Sequence, residues 1–238
     1  MSDRQIISLS NYQKESLAQG VFRALRSAIL DGTLKPGDWL RQESLAEELD
    51  VSQTTIRDAF NQLIGEGLAT RIPYKGVQVI SLSESDLEDI YAMRAVLEGM
   101  AAELAAAHIT ADQLQEMKEL LPVTIVSNDP DTVATARKAN RRFHEIFIEA
   151  SQRRFLIRVL RQILDWIDPL MLYSKTKNTE IGLETRLKWG ERDRFQHARL
   201  LKALEEGDSK QAGRYAKEAV EEAWTNLTEL TFEKNNRV

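Results

Sequence analysis

A chain of 238 residues has room for two compact domains, and a composition that is 42% hydrophobic and 29% charged is ordinary for a soluble globular protein. It contains no cysteine, which excludes disulfides, thiolate metal sites and a cysteine nucleophile, so any metal must be held by His, Asp or Glu. The start, MSDRQIISLSNYQ, has no basic stretch leading into an apolar core, and no run of about 18 apolar residues escapes a charge, so secretion and a membrane span are not expected and the cytoplasm is.

A net charge of −5 gives no basic footprint, and even residues 1–80 hold nine Lys/Arg against ten Asp/Glu. A nucleic-acid partner would therefore have to be held by a local cluster of cations rather than by the field of the whole chain.

Residues 1–14 lack periodicity and read as a flexible arm. Glu15 to Asp31 predict a first helix, with Leu17, Val21, Phe22, Leu25, Ala28 and Ile29 as its buried side and Gly32 just past its end. The turn Leu34-Lys35-Pro36-Gly37-Asp38 leads to Trp39-Leu40. Ser44 to Leu49 read as a short helix with Leu45, Ala46 and Leu49 inward, and Asp50-Val51-Ser52 as a tight break. A second helix begins with Ser52 as its N-cap. On it Ile56, Ala59, Phe60, Leu63 and Ile64 make one apolar arc, which leaves Thr54, Arg57, Asp58 and Asn61 outward with Gln53 at the edge. After Gly67, the runs Leu68–Ile72 and Val77–Ile80 form a hairpin through Pro73-Tyr74-Lys75-Gly76. This is a winged helix-turn-helix, and Arg41, Arg57, Arg71 and Lys75 cluster where phosphates would lie.

Ser83 with Asp86 makes a capping box that opens a long helix to about Ala107. The domain boundary falls at Ser81-Leu82, so residues 1–82 form the first domain and 83–238 the second, joined without Gly or Pro. From there every element reads as helix. Thr110 caps Ala111–Leu121, Asp129-Pro130 opens a helix to about Ser151, and Arg153–Asp168 ends near Pro169. Asn178–Gly182 form a loop before helices over Leu183–Glu206 and Ser209–Phe232. The fold class is mainly α: an N-terminal winged helix-turn-helix followed by an all-α bundle.

Polar residues on the apolar arcs of that bundle carry its chemistry. Arg94 projects among Leu87, Ile90, Leu97, Ala101 and Leu104, and a buried guanidinium needs a partner. Glu98, one turn on, is one candidate, and a ligand carboxylate is the other. Asn140 and His144 fall on the face set by Val133, Ala136, Phe143 and Phe147, and His197 sits inward beside Leu200, Leu201 and Leu204. Each histidine alone could be a satisfied core residue, whereas two with an amide and an arginine suggest a polar pocket. His108 at a helix end is most simply a C-terminal cation.

The stretch LRSAILDGTLKPGDWLRQESLAEELDVSQTTIRDAFNQLIGEGLATRIPYKGVQV resembles, almost without gaps, the DNA-binding domain of GntR-family transcription regulators. SESDLEDIYAMRAVLEGMAAELA, RRFHEIFIEAS and FQHARLLKALEEGD resemble the effector domain of the FadR branch in its FCD form, so the likeness covers roughly Ser16 to Thr231. It implies a homodimer on double-stranded, palindromic operator DNA, read through Arg41, Ser52, Gln53, Thr54, Thr55, Arg57, Asn61, Arg71, Lys75 and Gly76. It also implies an anionic small-molecule effector held by Arg94, Asn140, His144 and His197. FCD domains commonly bind a divalent metal through an Asp-x3-His pair and two later histidines. Here the pair reads Asn140-Arg-Arg-Phe-His144, the first later histidine is His197, and Ala219 holds the place of the last. Two of four ligands are missing, which leaves His144 and His197 as the metal candidates. On the DNA side, Glu43 and Gln53 stand where the branch often carries arginine, so the operator is expected to differ.

The expected function is a ligand-controlled DNA-binding regulator, repressor first and activator second. The alternatives are a metal-dependent sensor on the degenerate site and, further off, an enzyme built on the histidine pocket. No nucleophile elbow, phosphate loop or carboxylate pair in a recognised context favours an enzyme. A helical scaffold that does not bind DNA would leave the capped Ser52 helix and the wing unexplained. The effector, the operator sequence, the regulated genes and the sign of the ligand effect are not written in the residues.

Overall fold

The computed structural model describes residues 16–123, 130–177 and 183–235. The expected N-terminal arm, the cap at Asp129 and the loop at 178–182 lie outside the described residues. The chain divides into two compact units, Met1–Ser81 with Asp168–Tyr173, and Leu82–Ile167 with Ser174–Val238.

In the first unit Ser16 and Gln19 form a capping box that starts α1 (Leu17–Leu30), whose Val21, Leu25 and Ile29 are buried. Leu17, expected inward, is 71% exposed, because a residue in the first turn is covered only if another element reaches the helix end. Trp39-Leu40 is more than a connector. It is strand β1, paired antiparallel with β3 (Gly76–Val79), which also pairs with β2 (Ala69–Ile72) to give the order β1-β3-β2. Two residues flanked by Gly37 and a helix carry too short a pattern for periodicity to identify them as a strand.

Between β1 and β2 lie α2 (Gln42–Glu48) and α3 (Gln53–Gly65). α2 starts two residues before Ser44, and Leu49 is its C-cap, 40% exposed rather than inward. Asp50 turns the chain with φ +50, and Gly67 leaves α3 with φ +67, a left-handed conformation natural to glycine. Ile56, Ala59, Phe60 and Leu63 of α3 close the small core with Leu68, Val77 and Val79.

After the wing come α4 (Glu84–Ala105), α5 (Ala111–Leu120), α6 (Pro130–Ala150), α7 (Arg154–Lys177), α8 (Leu183–Glu205) and α9 (Ser209–Asn235), which make up the second unit except for Asp168–Tyr173 of α7. The Ser83–Asp86 and Thr110–Gln113 capping boxes start α4 and α5 as the sequence indicates. α7 does not stop near Pro169 but runs on to Lys177. Proline has no N–H to give the ladder, so the helix runs through position 169 without the bond owed to the Asp165 carbonyl.

The core joins the C-terminal halves of α4, α6 and α8 to the N-terminal half of α9. It contains Ala101, Ala102 and Ala105, then Phe143, Ile146 and Phe147, then Leu200, Leu201 and Leu204, then Ala212 and Ala216. α4 and α9 approach at two glycines: a Cβ on Gly213 would sit 3.0 Å from the Gly99 carbonyl oxygen, and one on Gly99 would sit 3.1 Å from that of Gly213. Only residues without a side chain permit that backbone distance.

Candidate functional site

In the first unit the N-cap decides which side chains leave the start of α3. Ser52 Oγ accepts from the Thr55 amide at 3.1 Å and lies 2.8 Å from Thr55 Oγ1. With the apolar arc of α3 buried, Gln53, Thr54, Arg57, Asp58 and Asn61 are exposed, while Thr55 is half-buried beneath its cap. Asn61 reaches the wing, its Oδ1 accepting from Arg71 Nη2 at 3.0 Å, so a neutral amide orients Arg71 without cancelling its charge. Gln42 Nε2 similarly donates to Gln53 Oε1 at 3.4 Å. Arg41, Lys75 and Gly76 are exposed, and Glu43 is exposed as well. Sequence reasoning missed Tyr74, which stands fully out of the wing with φ +62. Its place between Pro73 and Lys75 at a hairpin tip was the available signal.

In the second unit four polar side chains meet at the edge of the core. Arg94 Nε donates to Glu98 Oε1 at 2.5 Å, so the neighbour one turn on is a partner of the buried guanidinium. Glu98 Oε2 takes the His144 Nδ1–H at 2.8 Å. His144 Nε2 then faces Arg94 Nη2 at 3.4 Å and His197 Nε2 at 3.2 Å, and in the tautomer that serves Glu98 its lone pair accepts from these donors. The His197 ring stacks on Phe143, with centroids 4.4 Å apart. Burial alone would push the Glu98 carboxyl up, but the Arg94 charge and the His144 ring overcome it and hold the carboxyl down at about 2. His197 is driven well below the ordinary histidine value, chiefly by loss of water and then by His144 and Arg94, against an opposing pull from Glu98.

The remaining predicted members lie differently. Asn140 is exposed rather than packed inward. Its azimuth on α6 falls between Phe147 and His144, as periodicity requires, yet it is left uncovered although Ala136 and Ala139 beside it are buried. His108 Nδ1 meets the Leu104 carbonyl at 2.9 Å, the helix-end role expected of it.

The coverage changes across this polar layer. On its core side, inward residues are fully buried. On the other side, Gly190, Asp193 and His197 of α8, and Ala219 and Ala223 of α9, lie on the inward arcs of their helices yet stay half-exposed. Ala219 and Ala223 fall between Asn226 and Ala216, both buried, and are themselves half-exposed.

This donor set does not fit a resident divalent cation. Two imidazole nitrogens converge, fewer than the three or four protein ligands of known zinc sites, and both Glu98 oxygens are spent on Arg94 and His144. Ala219 offers no donor, and a guanidinium nitrogen stands 3.4 Å from His144 Nε2, where a second cation would be repelled.

Two family models match the chain: Bacterial regulatory proteins, gntR family, over residues 17–79, and the FCD domain over residues 89–222. The chain therefore belongs to the GntR family of bacterial regulatory proteins, with an FCD effector domain, and is a DNA-binding transcription regulator. It is 30% identical to the uncharacterized HTH-type transcriptional regulator YdhC of Bacillus subtilis over 148 residues, 61% of this chain and 66% of that one. It is 28% identical to the probable D-xylose utilization operon transcriptional repressor of Paenarthrobacter nicotinovorans over 182 residues, 76% of this chain and 75% of that one. The solved structure of E. coli McbR/YncC is similar over 93% of this chain and 100% of its own, with TM-score 0.70 and 25% identity. Among the described residues no helix is long and apolar enough to cross a membrane.

Proposed function

We propose that this regulator is a ligand-responsive repressor that binds a palindromic operator as a homodimer. A small organic acid, bound at the polar layer of the second unit, changes its affinity for DNA. The observation that carries the ligand reading is the convergence of Arg94, His144 and His197 at the end of the apolar core, beside inward positions that remain open to solvent. A guanidinium recognises a carboxylate by charge-assisted hydrogen bonds, and its burial makes those bonds stronger than they would be in water. Repression is supported by the printed functions of relatives, among them the xylose-operon repressor and a gluconate operon repressor of Bacillus licheniformis. One winged helix contacts too few base pairs for useful specificity, whereas two related by a two-fold axis read both halves of a palindrome.

The test begins by selecting the operator from random duplexes and measuring affinity by fluorescence anisotropy. Analytical ultracentrifugation at micromolar protein then gives the stoichiometry. A two-fold-symmetric consensus bound by a dimer, with an acid that shifts affinity in the wild type and not in His197→Leu, is the expected result. Failure to enrich any sequence, or a monomer both free and on DNA, would overturn this reading.

A further inference from the structure

The second unit carries two exposed apolar stripes of opposite charge, and neither belongs to its core or to the polar layer. On α4, Met93, Val96 and Met100 are 45%, 54% and 50% exposed, and their three- and four-residue spacing sets them on one face. Asp89 and Glu103 continue that face by one turn at either end, exposed and without a cationic partner among the described residues. On α7, Phe155 and Val159 are 68% and 47% exposed, one turn apart. Arg154 and Arg158 stand beside them, exposed and without a carboxylate partner among the described residues, and the Arg154 guanidinium lies over the Phe155 ring at 4.8 Å.

The helices that carry these stripes are neighbours. α6 turns His144 to Glu98 of α4, and it turns Arg141 and Glu149 to Asp165 and Arg161 of α7. With about 100° per residue, the two sets of contacts lie about a quarter turn apart around α6, so α4 and α7 flank one helix on adjacent sides.

Charge decides what can cover the stripes. Contiguous exposed apolar side chains with a polar rim are the anatomy of an association surface. A second α4 laid antiparallel about Val96 would set Asp89 opposite Glu103 at both ends, since each stands seven residues from the centre. A second α7 laid on the first would set arginine against arginine. Like charges facing each other oppose association, whereas α4 of one copy against α7 of the other brings carboxylates to guanidiniums and apolar side chains together. A two-fold axis makes that contact twice.

We infer that the second copy of the chain docks on this face, the acid-rimmed stripe of α4 packing on the arginine-rimmed stripe of the partner's α7, and the reverse. This deepens, and rests on, the homodimer reading above.

Sedimentation velocity at micromolar full-length protein tests the pairing with two charge-reversed chains, one carrying Asp89→Lys and Glu103→Lys, the other Arg154→Glu and Arg158→Glu. All four side chains are exposed, so both chains are expected to fold, which far-UV circular dichroism checks. Each alone should sediment as a monomer where the wild type is a dimer. An equimolar mixture of the two should sediment as a dimer, and one chain carrying all four substitutions should dimerise by itself. Dimers from each reversed chain alone would overturn this face and leave the homodimer standing. Monomers that fail to associate on mixing would overturn the pairing of α4 with α7. A wild type that is monomeric both free and on DNA would overturn the homodimer and this inference with it.

Discussion

Glu98→Gln isolates the energetic centre of the second unit. The carboxylate is fully buried between Arg94 and His144, and Arg94 is 7% exposed, so removing the negative charge deprives a buried guanidinium of the carboxylate it donates to. Breaking a buried pair by deleting one partner costs about 3–5 kcal/mol, since the surviving charge has already lost its water. For a chain of this length each kcal/mol shifts the midpoint by about 2–4 °C, so a fall of about 6–20 °C is expected. Differential scanning calorimetry with urea titration measures it. The double replacement Arg94→Met with Glu98→Leu should recover most of the loss, because it removes both buried charges while keeping their bulk. A loss under about 1 kcal/mol for Glu98→Gln, or no recovery in the double variant, would refute the claim that charge pairing at this layer holds the bundle together.

Gly213→Val should destabilise by about 1–3 kcal/mol in the same denaturation assay, since even its Cβ meets the Gly99 carbonyl oxygen at 3.0 Å and the helices must separate to admit it. Dialysis against a chelator should leave the melting midpoint unchanged, and a drop of several degrees would show that a cation contributes to the polar layer after all. Arg57→Ala should weaken operator binding by about 1–3 kcal/mol in gel shift with the fold intact, because the side chain is exposed on α3 while Ile56 and Phe60 keep their packing. Acid should also destabilise the second unit in two stages. His197 stays neutral in the fold to a lower pH than in the unfolded chain, so from about 6.5 downward the unfolded state binds the extra proton and stability falls. Between about 4.5 and 2, Glu98 adds a loss of the same sign, because its folded carboxylate resists a proton that the unfolded one accepts. Melting curves from pH 7.5 to 4 should show this decline, with a shallower slope between 7 and 5 in His197→Leu; an unchanged slope would remove His197 from the account.

What was legible in the sequence follows from the range over which each signal acts. Ser52, Ser83 and Thr110 cap through bonds to residues three positions on, so their patterns are complete in a few letters. The outward face of α3 follows from one apolar arc, and the Arg94–Glu98 pair from a single turn. Trp39-Leu40 became a strand only because β3, nearly forty residues later, offers its edge, and no local pattern reports that. Asn140 exposes the same limit on a helix. Periodicity fixes the azimuth of a side chain, but whether a neighbour covers it is a tertiary contact that spacing does not report, and here Ala136 and Ala139 are covered while Asn140 is not.

Asn226 shows the converse. A lone amide at helical spacing from Ala212, Ala216, Ala219 and Ala223 is out of place in an apolar stripe, which was a legible sign that the stripe does not face only core. Its surroundings required the antiparallel register with α8, because only then does Arg192 fall beside the amide oxygen, and the Nδ2 left without a partner is a departure from close apolar packing that helical spacing cannot report.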